Sequence, residues 1–526
     1  MKRKFEFLIL AILLVGCEKQ GHFNSEKINF DYGKDLQHEM IVLGERLENP
    51  YKTENVAKAL KKLYPTKAAV LESTNLYVRF LPKDDRECSI LEIQGVELID
   101  HPLDYEIKVD GDYYHDPEIA EDEMTWQYAV VPHNFVFPAD IEYEIIDECF
   151  IADSATKLAE DVDWEAVERE SFELTGNGAM IDDAALTKAK GKAYPSGRIT
   201  IVDDEWNGGK PFGVAGVCVA CNCFVKIAKT YTDRDGYYTM KKSFSARPRY
   251  RLMFKNKLGF SIGFNFIVVS ASLSTLGKAE PTGINYTITK DSETKLFNRC
   301  VVNNAAYDYY TRCGIEDMNI STPPSDLRIW LLSSTGASSA CMLHHGTVLE
   351  AKDKTSIMGK CVTVLRYFLP DVTIGTKDKH SYGELYGTVV HELSHTSHFA
   401  AVGKSYWNKY IFYIVRYYIE SAGGRLYGDG SGDGAGQCEV GEMWAYYMQS
   451  KMMKERYGGA MNAYGTSYWF YPQILRDLDL RGVKRSEIFS SMTPAAIDCS
   501  ALKSNLITNY PSKKIIVEQS FSRYGK

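Results

Sequence analysis

Between Thr388 and Phe399 the chain reads Thr-Val-Val-His-Glu-Leu-Ser-His-Thr-Ser-His-Phe. If this run is helical, residues four apart lie one above the other on one face. His391 and His395 could then offer ring nitrogens to a single zinc ion. Glu392, beside the first histidine, would reach a water on that ion rather than the ion itself. Zinc brings the pKa of such a water towards neutrality, and a carboxylate can take its proton as it attacks a carbonyl. Tyr386, Val389, Val390 and Leu393 follow the spacing i, i+3, i+4, i+7, so the same helix has an apolar back to bury. The competing account is a core helix carrying ordinary histidines.

A catalytic zinc takes three protein ligands, so one more side chain must come from elsewhere. His398 shares the helix face. At 1.5 Å per residue, however, it stands about 7–8 Å along the axis from the midpoint of the pair. It would reach the ion only if the helix broke, and reads as a support for the ligands or as packing. The run His391-Glu392-x-x-His395 resembles the HExxH signature of zincin metallopeptidases. The metzincin extension is missing, because His398 and Ala401 stand where that pattern needs Gly and His. The segment Cys438-Glu439-Val-Gly-Glu442-Met-Trp-Ala-Tyr446 resembles instead the gluzincin arrangement, in which a Glu on a later helix completes a His₂Glu set. Glu442-Met443-Trp444-Ala445 is similar to the ligand helix of such peptidases, so the resemblance implies Glu442 as third ligand. Glu439, three residues earlier on the same face, is the alternative ligand or a brace for a histidine ring. Tyr446 stands where the pattern often carries a second acid, and is a candidate support. The resemblance implies one Zn2+ on His391, His395 and Glu442, Glu392 as general base, and a protein or peptide substrate. The rival expectation is a surface binding or adhesion lipoprotein on a zincin-like scaffold without turnover.

Other chemistry is less well supported. Cys341 beside His344 and His345 offers a nucleophile pair, and Tyr427, Tyr464 and Tyr468 are candidate oxyanion donors among 35 tyrosines. Gly428–Gly436 reads as a flexible connector in preference to a lid or an Asp429/Asp433 cation site. Cys218, Cys221 and Cys223 suggest a metal cluster, but on a strand they divide between two faces. Asp233-x-Asp235-Gly236 would put Tyr231 at the first position of a calcium loop, where an oxygen ligand is needed, so a turn is expected.

These residues need a scaffold, and a chain of 526 residues has room for several units. The expected class is a multidomain protein: an N-terminal α+β module, a central β-sandwich and a C-terminal α+β zincin-like domain. Residues 35–175 form the first module, with helices at Leu36–Leu47, Asn55–Leu63 and Ala155–Leu174, and strands at Asn75–Leu81, Ser89–Ile93 and Ile141–Ile146. Residues 176–196 read as a linker. In 197–270 the period falls to two, with strands at Arg198–Val202, Gly216–Cys221 and Tyr250–Phe254. Thr232–Tyr238 after that second strand resembles the carboxypeptidase-regulatory-like β-sandwich. The zincin-like part, 275–526, should hold helices at Thr294–Cys313, Tyr382–Ala401, Trp407–Ser421 and Glu439–Tyr457. Its strands are expected at Leu327–Leu332, Ala340–Leu343 and Val362–Phe368.

Lys2, Arg3 and Lys4 precede a short apolar run ending Leu14-Val15-Gly16-Cys17, which resembles a bacterial lipobox. Residues 1–17 then read as a lipoprotein signal peptide with Cys17 lipidated, and 18–34 as a tether. The expected location is the bacterial envelope, at the outer membrane or cell surface, with the membrane contacted through the lipid. The whole plan resembles surface lipoproteins of Bacteroidota. Acids outnumber bases 69 to 61, for a net charge of −8. A basic face to grip phosphates is therefore missing, and no nucleic-acid partner is expected. Removing Cys17 leaves eleven cysteines, an odd number from which no disulfide is assigned.

Overall fold

The computed structural model describes residues 40–526 apart from 68–70, 84, 112, 120–123, 156–157, 160, 182–193, 264–272, 292–293, 315–316, 334, 348–369 and 421–426. Cys17, the tether, most of the linker and the strand expected at 362–368 lie outside the described residues. What is described mixes α and β structure with several sheets.

In the N-terminal part, β1 (Val42–Arg46) pairs with β3 (Tyr105–Val109), and β2 (Asn75–Leu81) is the middle strand of the antiparallel order β4-β2-β5. The flanking strands are β4 (Gln127–Pro132) and β5 (Glu142–Cys149). Helix α1 (Thr53–Leu63) buries Val56, Ala59 and Leu60 with Val167 of α3 (Trp164–Leu174). Asp163 caps α3 by accepting from the backbone of Glu165 and Ala166, so the helix begins well after Ala155. Two expectations are corrected. The described part of Leu36–Leu47 is strand, because pairing of Val42 with Val109 outweighs its weak helical spacing. Ser89–Ile93 belongs instead to a helix, α2 (Asp85–Ile93), which buries Cys88 and Leu91 at i, i+3 and leaves Ile93 exposed.

The next strands are β6 (Ser196–Ile201), β7 (Phe212–Gly213), β8 (Val217–Cys223), β9 (Lys226–Tyr231), β10 (Tyr237–Thr239), β11 (Arg249–Asn256), β12 (Ser261–Ile262), β13 (Leu273–Lys278) and β14 (Tyr286–Ile288). They divide between two sheets. One has the order β10-β6-β14, with β7 also on β6. The other runs β16-β15-β12-β11-β8-β9, with β13 also on β11, and so takes in β15 (Arg328–Leu332) and β16 (Val372–Gly375) from the C-terminal part. Residue 275 is therefore no break in the sheet. The turn expected at Asp233–Gly236 is present: Gly236 has φ 83°, and Asp233 Oδ1 accepts from the backbone N–H groups of Asp235 and Tyr237. Ala340–Leu343 makes no strand; its neighbour Ser339 forms a single bridge to Thr373.

Helices α4 (Thr294–Gly314), α5 (Tyr382–Val402), α6 (Lys404–Glu420) and α7 (Ala435–Tyr457) follow, then α8 (Gln473–Leu480), α9 (Arg485–Ser490), α10 (Cys499–Asn509) and α11 (Lys514–Ser522). Helix α5 packs between α4 and α7, with α6 against both α5 and α7. One buried apolar cluster runs through the chain from Tyr51 to Phe521, joining these helices to the two larger sheets. Among the described residues no helix is long and apolar enough to cross a membrane, and no disulfide joins the cysteines, which are buried.

Candidate metal centre

Helix α5 starts at Ser381, whose hydroxyl accepts from the Glu384 N–H at 3.2 Å, and stops at Gly403. Its apolar back is buried as expected: Tyr386, Val389, Val390 and Leu393 are all inside. Its polar face is buried as well. Ser394 and Thr396 donate to carbonyls of their own helix, and Ser397 accepts from the Tyr309 hydroxyl of α4 at 3.0 Å. Both carboxylate oxygens of Glu392 and Nε2 of His391 are buried, and among the described residues none of the three has a hydrogen-bond partner. Polar groups in that condition cost free energy unless a ligand meets them.

Helix α7 runs antiparallel to α5, with Tyr457 beside Gly383, Gln449 and Met453 beside Gly387, and Gly441 beside His398. This brings Glu442 to the histidine pair. Its Oε2 is 3.6 Å from His391 Nε2, and its Oε1 is 3.6 Å from His395 Nε2. Those separations exceed a hydrogen bond. They match donors about 2.1 Å from a shared tetrahedral ion, which stand about 3.4 Å apart. All three donor atoms lie within 4.8 Å of one another, and among the described residues this is the one such group. Burial pushes His395 down to about 3, leaving a neutral ring able to bind a metal. Burial alone would raise Glu442, but His395, His391 and the Tyr410 hydroxyl together hold its carboxyl below the usual range. Glu392 goes the other way, raised by burial and by the Glu442 charge. The fully buried Glu442 carboxylate facing two imidazoles makes a donor set that suits a divalent cation.

The surrounding side chains sort the remaining candidates. Glu439 is turned away: its Oε1 accepts from Lys526 Nζ at 2.6 Å, and its Oε2 from the Cys499 N–H at 3.2 Å. His398 stays out of reach of Glu442 and packs between the rings of Tyr406 and Trp407, where burial lowers it to about 3. Tyr446 lies edge-on to His391, ring centroids 4.4 Å apart, and its hydroxyl is 3.3 Å from that of Tyr427. Tyr464 accepts from Asn462, and Tyr468 packs on Phe470. The Cys341 thiol donates to Ser339 while burial pushes it up to about 12, and His344 and His345 face Asp326 and Asp371. Asp429 is taken by Ser431 and Tyr417, and Asp433 sits 3.8 Å from Lys409.

Two residues were not singled out by sequence. Tyr410 of α6 donates to Glu442 Oε1 at 2.5 Å, and Trp407 packs on His395 while donating to the Ala340 carbonyl at 3.1 Å. Their three-residue spacing marks one helix face, but nothing in it says which hydroxyl turns to the centre. A cavity of about 280 Å³ opens one turn before His391, lined by Gly387, Gly383, Glu384, Gln449 and Glu205 among others. Compared with known proteins, the chain matches no family model, and no curated protein matches it.

Proposed function

We propose that the protein is a zinc metallopeptidase of the gluzincin kind, carried on a lipid-anchored bacterial surface protein. The observation that carries this reading is the convergence of His391, His395 and Glu442 beside the unpartnered carboxylate of Glu392. Zinc, when bound, supplies Lewis acidity towards a carbonyl and makes water a nucleophile near neutral pH. His391, His395 and Glu442 would hold it, with Tyr410 keeping the Glu442 carboxylate in one orientation. Glu392 takes the proton of the attacking water and delivers it to the leaving amine. The cavity along α5 gives a substrate side chain somewhere to lie, and the N-terminal module and β-sandwich carry the site away from the lipid on Cys17.

A second reading rests on burial: Glu392 is 0 % and His391 3 % exposed, which suits a metal-stabilised binding protein without turnover. Metal content of the full chain and hydrolysis of a mixed peptide library separate the two. The peptidase reading expects about one zinc per chain, lost in Glu442→Ala and kept in Glu439→Ala. It also expects hydrolysis that falls ~100- to 10,000-fold in Glu392→Gln while zinc stays. Zinc without hydrolysis, indifferent to Glu392→Gln, would favour the binding protein, and a chain without zinc would sink both.

A further inference from the structure

A second cavity, of about 270 Å³, opens where the N-terminal part meets β11, and its lining includes Arg247, Arg249, Arg251 and Lys278. It shares no residue with the metal centre. Side chains alternate along a strand. Tyr250, Leu252 and Phe254 of β11 enter the core, so Arg249 and Arg251 face the cavity. Across the β11–β13 pairing, Lys278 stands directly opposite Arg249. Like charges in that relation destabilise a sheet unless something offsets them.

The carboxylates around Arg249 and Arg251 are largely committed elsewhere. Asp110 pairs with Arg249. Asp100 is committed twice, its Oδ1 to His101 Nδ1 at 2.8 Å and its Oδ2 to the Tyr114 N–H at 2.7 Å. Glu97 meets Lys229 at 2.7 Å. Arg251 has no ion-pair partner among the described residues; its Nη2 lies 3.3 Å from His101 Nε2. Burial lowers the His101 pKa and keeps the ring neutral. With its Nδ1 proton on Asp100, Nε2 is left to accept from the guanidinium and fix its direction. Burial, then Arg249, pulls Arg251 down to about 10, so it still carries its charge at neutral pH. A charged, largely desolvated fork aimed into a cavity is the geometry that recognises planar or tetrahedral oxyanions.

We propose that this cavity binds a small oxyanion, a phosphate or carboxylate group, on Arg251 and Arg249 with Lys278 and Arg247 at its rim. Glu106 is the acid of the lining and opposes the ligand. The test is calorimetric titration of the full chain with inorganic phosphate and, separately, with citrate, against chloride at equal ionic strength. Saturable binding of at least one is expected, and the tighter of the two tells phosphate chemistry from carboxylate. Arg251→Met should weaken it about tenfold or more, exposed Lys278→Ala about two- to fivefold, and Glu106→Gln should strengthen it. Should Arg251→Met fail to fold, Lys278→Ala and Glu106→Gln decide by their opposite signs. Absence of saturable binding for both anions, or binding that none of these substitutions alters, would overturn the proposal.

Discussion

Tyr410 meets the candidate metal centre through Glu442, donating to the oxygen that also faces His395, and its ring lies 5.7 Å from that of His395. Tyr410→Phe removes that one hydrogen bond and keeps the ring against Trp407. Zinc affinity should fall about 10- to 100-fold, read by competition with a chromophoric chelator. An unchanged affinity would mean that the helix alone fixes the carboxylate. A second residue-scale prediction concerns His345, whose Nδ1 is 2.9 Å from the fully buried Asp371. Burial lowers this imidazole, but Asp371, with the Ser325 carbonyl and Asp326, outweighs it and raises the group above its ordinary value of 6.5. A raised folded-state pKa gives stability that is full below about pH 6.5 and is lost as pH rises through the folded value. His345→Gln should flatten that stretch of the stability curve in urea titrations, and an unaltered slope would rule out the Asp371 pairing. The grouping of side chains at this scale was partly legible. The histidine pair and Glu392 follow from spacing within one helix, whereas Glu442 came from a family resemblance. Tyr410 was one of 35 tyrosines with no local mark to set it apart.

The start of α7 decides where Glu442 stands, two turns further on. Gly434 sits there with φ 90°, and a Cβ on it would come within 2.4 Å of the Lys409 carbonyl of α6. Gly434→Ala therefore sets both a backbone strain of roughly 1–3 kcal/mol and a clash that pushes α7 off α6. Expected are a lower thermal midpoint and weaker zinc binding together. A lower midpoint with zinc affinity intact would confine the strain to the loop. The glycine run before it is not the loose connector that its composition suggested. The Tyr413 hydroxyl donates to the Tyr427 carbonyl and accepts from the Gly430 N–H, while Trp469 donates to that same carbonyl. Such contacts come from other elements and leave no trace in composition. The long helices at 382–402, 404–420 and 435–457 were legible within a few residues because their periodicity is sustained. The short segments at 42–46 and 85–93 were misread, since five to nine residues carry too little pattern to outweigh the partner each one finds.

At the scale of the whole molecule, the sheet joins what the sequence divides. β12 pairs in parallel with β15 and antiparallel with β11, so the strands beside the helical core are continuous with those upstream. Arg456 at the end of α7 provides a second weld. Its guanidinium lies 4.2 Å from the Trp206 ring and 4.8 Å from that of Tyr382. Its Nη2 is 2.9 Å from the fully buried Asp203, which also accepts from the Tyr457 hydroxyl at 2.8 Å. Partners more than two hundred residues apart are invisible to local pattern, which is why a boundary near 275 looked natural. Cutting the chain there removes β11, β12 and Asp203. β15 then keeps an unpaired edge, and Arg456 loses both its acid and the Trp206 ring. A 275–526 fragment should accordingly show no sharp thermal transition and should bind a hydrophobic dye. In the full chain, Asp203→Ala should cost roughly 3–5 kcal/mol in denaturant unfolding, as for one partner removed from a buried ion pair. A fragment that melted cooperatively and retained zinc would instead make the C-terminal part a domain in its own right, and the shared sheet an accessory to it.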